Sequence, residues 1–272
     1  CCKQGIKTSH MSVAKLYTDE LKRNFKILFA NWEPGTPLEL GVYGLLSNNI
    51  FVPLGNIKQL GVNFDVVTDL VKDEKEFKSE GGVEVKFNPK ASVTVTPGVS
   101  VNANLEIKFT RGKSIFFHAA ECSTNRIADK VKLGKDLKNL LKKGDWKKKY
   151  VVVTDLVDSG NTIIAVSDSK DANITFQASS PTIENINLAD ASIDLTVTTR
   201  KDIGYKVEAV KGLQILMGLC KFKNPFPLLG DGSIMPIKMA SSKELSTLIE
   251  DAPEIKTEQS PDDLYFGQLG YG

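Results

Sequence analysis

A strict alternation of apolar and polar residues runs from Ala91 to Phe109, ASVTVTPGVSVNANLEIKF. The odd positions hold only Ala, Val, Pro, Leu, Ile and Phe, whereas the even positions hold Ser, Thr, Gly, Asn, Glu and Lys. A period of two residues predicts a β-strand with one apolar face and one polar face. Pro97-Gly98 is expected to interrupt or bend this strand, because proline lacks the N–H donor that a central ladder needs.

A second stretch, from Ala189 to Thr198, alternates in the same way. Each stretch has an alternating partner nearby, so each is predicted to form half of a hairpin. Two structures fit such strands. One is an antiparallel sheet with one face on a core and the other in water; the other is a set of membrane-spanning strands, each of ~9 to 11 residues. The apolar faces are mostly Ala and Val, and the polar faces are mostly Ser, Thr and Asn. These small side chains tolerate either a soluble sheet or a membrane-spanning strand.

Length and charge indicate a globular chain with an asymmetric charge. The 272 residues allow one large domain or two small ones, and no run of apolar residues is long enough for a membrane-spanning helix. Residues 241–272 carry a net charge of −5, which leaves +7 for residues 1–240. A basic body with an acidic tail predicts that the tail masks, or competes for, whatever the body binds.

Two segments are predicted to be basic helices. Residues 13–29 place apolar side chains three or four apart, and residues 125–149 form a predicted helical pair with nine lysines and a leucine stripe. Such charges are explained by a helix face that is simply exposed to water, but a face that binds an anionic lipid surface explains them equally well. Nucleic acid is disfavoured because stacking aromatics and known binding motifs are missing. The candidate membrane-binding residues are Lys22, Arg23, Lys26, Lys138, Lys142, Lys143, Lys147, Lys148 and Lys149.

Other local patterns predict strands, a turn and a flexible link. Residues 150–157, YVVVTDLV, are a predicted buried strand, and the turn signal at 158–161 is expected to close a hairpin with residues 162–169. Residues 72–82, KDEKEFKSEGG, are predicted to be mobile. The run SIFFHAA at 114–120 is expected to be buried, with His118 as a packing residue.

The four cysteines fall into two classes. Cys122 and Cys220 are expected to be buried reduced thiols, because neither a disulfide framework nor a metal-like spacing is present. Cys1 and Cys2 are a tandem pair that is open to acylation.

No motif of a known catalytic or metal site is present, and the chain has only two histidines. We therefore expect no enzyme activity, no catalytic residue, no metal and no cofactor.

The order of these parts resembles the gasdermins, in particular the small bacterial gasdermins. A basic helix precedes a strand pair in residues 83–120, the basic segment 125–149, the strand YVVVTDLV and a second strand pair in residues 172–200. The segment IGYKVEAVKGLQIL approximates the family's GxxxAxxxxxL pattern through Gly204, Ala209 and Leu213.

The resemblance implies an α+β fold, a twisted antiparallel β-sheet with surrounding helices like the gasdermin N-terminal domain. It implies a cytoplasmic, autoinhibited monomer whose tail an activating protease removes. The body then oligomerises on anionic lipids of the inner membrane, and its two hairpin regions open into spanning strands. The pore would cause cell death in antiphage defence.

The resemblance also assigns regions and sites. Residues 1–12 would be an acylatable leader, residues 13–240 the pore-forming domain, and residues 241–272 the linker and autoinhibitory tail. The candidate sites are a palmitoyl group on Cys2 or Cys1 and cleavage after Leu248, Ile249 or Asp251. Independently of the resemblance, the apolar side chains of Tyr265, Phe266, Leu269 and Tyr271 are expected to dock on the body.

Two alternatives stay open. A surface lipoprotein anchored through Cys1, with a β-rich binding domain, would explain the strands and the cysteine but not the acidic tail or the basic helices. A soluble structural or interaction protein would explain all features weakly.

Overall fold

The computed structural model describes residues 6–88, 104–178, 195–210, 212–223 and 264–270. These residues form two α-helices, one 3₁₀ helix and fifteen strands, and the paired strands are antiparallel. The helices are α1 (Ile6–Phe25) and α2 (Lys130–Lys143), and the 3₁₀ helix spans Ile57–Leu60. The strands are β1 (Leu28–Ala30), β2 (Val42–Ser47), β3 (Ile50–Asn56), β4 (Val66–Thr68), β5 (Asp73–Lys78), β6 (Val83–Asn88), β7 (Asn104–Phe109), β8 (Ser114–Ile127), β9 (Val151–Ser159), β10 (Asn161–Ser167), β11 (Asn173–Ala178), β12 (Leu195–Lys201), β13 (Tyr205–Val210), β14 (Leu213–Lys223) and β15 (Tyr265–Gln268). The predicted α+β class is confirmed.

The main sheet has eleven strands and is built around the long strand β8. Its central order is β1-β14-β9-β8-β10-β13, with β4 and β5 on the other edge of β8, and β15 on β14. The first half of β8 pairs with β10 and the second half with β9. The sheet therefore curls along β8.

The predicted hairpin between residues 150–157 and 162–169 is wrong. The strands β9 and β10 do not pair with each other; they follow one another along the same edge of β8 and form one bent strand. At the bend, the Gly160 N–H donates to the Ala120 carbonyl at 2.9 Å. A Cβ at Gly160 would lie 2.8 Å from Cβ of Glu121, whose φ is +50°. A bend that needs glycine thus produced the same local signal as a turn.

A second sheet of four strands contains the two amphipathic hairpins. Its strand order is β12-β11-β7-β6. The hairpins β6–β7 and β11–β12 therefore join through the pairing of β7 with β11. Residues 104–109 alternate between half-buried and buried, as predicted for the end of the first stretch. Residues 91–103 and 189–194 of the two predicted stretches lie outside the described residues.

The helix boundaries correct two expectations. The first helix begins at Ile6 and ends at Phe25, not at residues 13 and 29, because residues 28–30 pair with β14 as β1. Residues 125–149 hold one helix, not a pair. Asp129 caps α2 by accepting from the Lys132 N–H at 2.7 Å, and Gly144 ends it at φ +86°.

The predicted mobile link at residues 72–82 is also wrong, since residues 73–78 form β5 and pair with β8. This strand alternates charged residues with the half-buried Lys75 and Phe77. The sequence of a charged edge strand resembles that of a solvated loop, because one face and one edge of such a strand remain in water.

Three apolar clusters hold these layers together. One packs beneath α2, one beneath α1, and the third joins the two sheets. Phe117 faces α1 and Phe116 faces the second sheet, so β8 is buried on both sides. The run SIFFHAA is buried as predicted.

Candidate functional site

The C-terminal residues 264–270, here called the tail segment, add a strand to the outer edge of β14. Cys220 pairs with Gln268 and Lys223 with Tyr265, and the Leu269 N–H donates to the Leu219 carbonyl at 2.8 Å. Leu264 is only 5% exposed and belongs to the core beneath α2. The tail segment therefore satisfies the open edge of β14 and anchors in the core.

The middle of the tail segment lies against α2. The ring of Phe266 packs edge-on against Phe222, with 5.4 Å between ring centroids. A Cβ built on Gly134 of α2 would lie 2.8 Å from the Phe266 Cβ. Glycine at this position lets the tail segment approach the helix backbone.

The end of the tail segment reaches the end of α1. Gly270 has φ +100°, and a Cβ there would lie 2.5 Å from both Lys22 Nζ and the Lys26 carbonyl oxygen. Lys22 Nζ also donates to the Lys26 carbonyl and lies 3.9 Å from the centroid of the Phe29 ring. Burial lowers the pKa of Lys22 to about 8.

The predicted docking of the tail residues is confirmed for Phe266 and Leu269, which pack on the core beneath α2. Tyr265 is 45% exposed, but its ring lies 6.0 Å from Lys223 Nζ. Tyr271 lies outside the described residues.

The basic residues predicted to bind lipid lie near the end of α1, on α2 and in the turn that follows α2. Lys22, Arg23 and Lys26 lie at the end of α1, where Arg23 pairs with Glu20 at 2.6 Å. Lys138, Lys142 and Lys143 lie on α2, and residues 147–149 follow in an exposed turn. The tail segment contacts α1 next to Lys22 but reaches α2 at Gly134, one turn before Lys138.

A basic recess beside the tail segment brings together lysines that are distant in sequence. Lys148, Lys149, Lys221 and Lys223 line it together with Phe222. Lys223 Nζ donates to the Gln268 carbonyl at 2.7 Å. Lys221 and Lys223 were not among the residues predicted to bind lipid; the available signal was their alternation around Phe222 on an otherwise buried strand. The recess suits an anionic group.

The remaining predicted sites lie outside the described residues: Cys1 and Cys2 for lipidation, and Leu248, Ile249 and Asp251 for cleavage. Cys122 and Cys220 are buried and free, as predicted. Burial raises the pKa of Cys122 to about 12 and also raises that of Cys220, so both thiols are poor nucleophiles.

Within the described ranges, neither helix is long and apolar enough to cross a membrane. Comparison of the chain with protein-family models, with curated proteins and with solved structures finds no match.

Proposed function

We propose that this chain is an autoinhibited precursor of a membrane pore-forming protein with a gasdermin-like fold. Proteolysis between the body and the tail segment activates it. The body then oligomerises in the inner membrane through its two amphipathic hairpins and kills the cell, as an antiphage defence. A palmitoyl group on Cys2 or Cys1 assists membrane binding.

The observation that carries this proposal is the position of the tail segment. Among the described residues, β15 pairs only with β14, so no other described strand depends on it. It is also separated from β14 in the sequence by residues 224–263, which contain the proposed cleavage region. A cut there leaves the tail segment held only by noncovalent contacts.

Loss of the tail segment would expose a surface suited to assembly. The edge of β14 over residues 220–223 would lose its partner strand, and the ring of Phe222 would lose Phe266. An unpaired edge beside an apolar ring is a template for pairing with another chain. We infer that this edge starts the contact between protomers.

The second sheet supplies strands that suit membrane insertion. Its apolar face buries Leu105, Ile107 and Ile174 against the main sheet, whereas Glu106 and Lys108 of the same strand β7 are half-buried. The β7–β11 pair already joins the two hairpins in antiparallel register. Strands that stay paired within a closed ring satisfy every backbone group in a bilayer, which an open sheet does not.

The basic elements supply attraction to the bilayer. The recess lined by Lys221 and Lys223 and the exposed turn 147–149 lie beside the tail segment. Residues 241–272 carry a net charge of −5. Removing that charge makes the body more attractive to anionic headgroups.

Dye release from anionic liposomes tests the proposal. A specific protease site is inserted after Leu248, and intact and cut chains are compared on the same vesicles. The account predicts release only after the cut, with slower release when Lys147, Lys148 and Lys149 are changed together to Glu. The same protease added to the chain without the inserted site is the control. Equal release, or none from either form on several lipid compositions, would refute the pore function.

A further inference from the structure

A buried imidazole and two carboxylates meet on one side of the main sheet, away from the tail segment. His118 of β8 is 2% exposed, and one ligand atom from each of Glu74, Glu76 and His118 lies within 4.8 Å of the other two. Glu74 Oε1 is 3.2 Å from His118 Nδ1. Both glutamates are exposed residues of β5, whereas the imidazole is buried.

Strand register brings these three residues together. Glu76 is the direct cross-strand partner of His118 in the β5–β8 ladder, and directly paired residues share a face. Glu74 lies two residues before Glu76 in β5, and residues two apart in a strand point to the same face. Glu74 therefore reaches the same imidazole as Glu76.

The imidazole has an unmet bonding capacity. Neither Nδ1 nor Nε2 of His118 has a hydrogen-bond partner among the described residues, and the contact with Glu74 is close in distance without the geometry of a hydrogen bond. Buried polar atoms are rarely left in this state, because the desolvation they suffer is not offset. Glu76 Oε1 lies 3.4 Å from Lys78 Nζ, and both side chains of this ion pair are exposed.

We propose that Glu74, Glu76 and His118 bind a divalent transition metal ion, with zinc preferred. Zinc takes imidazole nitrogen and carboxylate oxygen as ligands, and an ideal tetrahedral site with bonds of about 2.1 Å separates its ligand atoms by about 3.4 Å. Glu74 Oε1 and His118 Nδ1, 3.2 Å apart, are already close to this spacing. The exposed glutamates complete the set by side-chain rotation, and water fills the remaining position.

The ion would fasten an edge strand to the body. Among the described residues, β5 pairs only with β8, and residues 79–82 lead from it directly into β6 of the first hairpin. A metal bridge between β5 and β8 holds the base of that hairpin. The binding site itself does not depend on the proposed function, because its test measures metal alone.

Calorimetric titration of zinc into the chelator-treated full chain tests the site. The wild-type chain is expected to bind one equivalent at micromolar concentration or tighter. The Glu74→Gln/Glu76→Gln variant is expected to bind at least about 100-fold more weakly, because loss of outer-shell partners alone weakens metal sites 10- to 100-fold. These surface changes leave the core intact, which circular dichroism checks.

Matched variants separate this site from other ligands. His10→Asn removes the other histidine and is expected to leave affinity unchanged, as is Cys1→Ser/Cys2→Ser. Lys78→Gln removes the cation beside Glu76 and is expected to keep or tighten binding. The proposal is overturned if the wild-type chain binds no zinc, if the glutamate pair variant binds as tightly, or if the cysteine variant loses the binding.

Discussion

Two short strands, β1 and β15, pair with the same edge of β14 and differ in what holds them there. Residues 28–30 lie against residues 216–218, and β15 continues along that edge at residues 220–223. β1 directly follows α1, whose Tyr17 and Leu21 are fully buried. β15 has one buried anchor, Leu264, and its own residues are half-buried or exposed.

This difference separates a strand that belongs to the fold from one that covers it. Phe29 in β1 is 3% exposed and lies in the core beneath α2, whereas Phe266 in β15 packs on that core from outside. Both strands are held by the same kind of antiparallel backbone pairing with β14, so side-chain burial decides which one can leave. We infer that β15 detaches without unfolding the sheet.

The largest expected effect on stability comes from replacing Phe29 or Phe266 with alanine. Phe29→Ala is expected to lower the free energy of unfolding by about 3 to 5 kcal/mol, because it leaves a cavity in the core. Phe266→Ala is expected to cost about 1 to 2 kcal/mol, since its ring is only half-buried. Urea unfolding measures both. Equal losses would contradict the comparison by making β15 part of the cooperative core.

A smaller effect is expected from Gly134→Ala in α2. Alanine favours a helix over glycine by about 1 kcal/mol, yet the new Cβ would lie 2.8 Å from the Phe266 Cβ. The variant should keep α2 intact and loosen the tail segment, seen as faster hydrogen exchange at residues 265–268. Asn139→Ala, at an exposed position of the same helix, raises helix propensity without touching β15 and is the control. Unchanged exchange in Gly134→Ala would show that α2 does not hold the tail segment.

The smallest effect concerns Lys22, beside Gly270. Burial lowers the pKa of Lys22 to about 8, so above that pH the unfolded chain binds more protons than the folded one and stability rises with pH. Between pH 7 and pH 9 the wild-type chain should gain less than about 1 kcal/mol relative to Lys22→Met, because solvent screens part of the effect. Urea unfolding at both pH values measures this gain. If the tail segment contributes to the burial of Lys22, the stability gain between pH 7 and pH 9 should be smaller in a chain cut after Leu248 than in the intact chain. An equal gain in both chains would assign the burial to α1 alone.

The sequence predicted the regular parts of the fold because those parts follow local periodicity. The buried run at 114–120 and the alternation at 104–109 both appear as predicted. The bend at Gly160 and the strand β5 were missed, because each depends on a partner far away in the chain, namely β8.

The candidate site was predictable only in part. Aromatic residues near the C-terminus indicated docking, and Phe266 and Leu269 do pack on the core. The residues that Phe266 contacts, Phe222 and Gly134, carried no signal of their own in the sequence. Likewise Glu74 and Glu76 looked like solvated charges until the ladder set Glu76 opposite His118.

A reversible covalent lock on β15 tests the central claim most directly. The Leu269 N–H to Leu219 carbonyl bond makes Cys220 and Gln268 a non-hydrogen-bonded pair, whose Cα separation of about 4.5 Å suits a disulfide. Gln268→Cys thus places a thiol opposite the native Cys220. Burial raises the pKa of Cys220, so oxidation is carried out at alkaline pH and checked by mass spectrometry.

Dye release is then followed after cleavage at the site inserted after Leu248, with and without reductant. The account predicts that the cut, oxidised Gln268→Cys chain releases no dye, and that reductant restores the release seen with Gln268→Ser. Release from the cut and oxidised chain at the rate of the reduced one would contradict the claim that departure of β15 activates the protein.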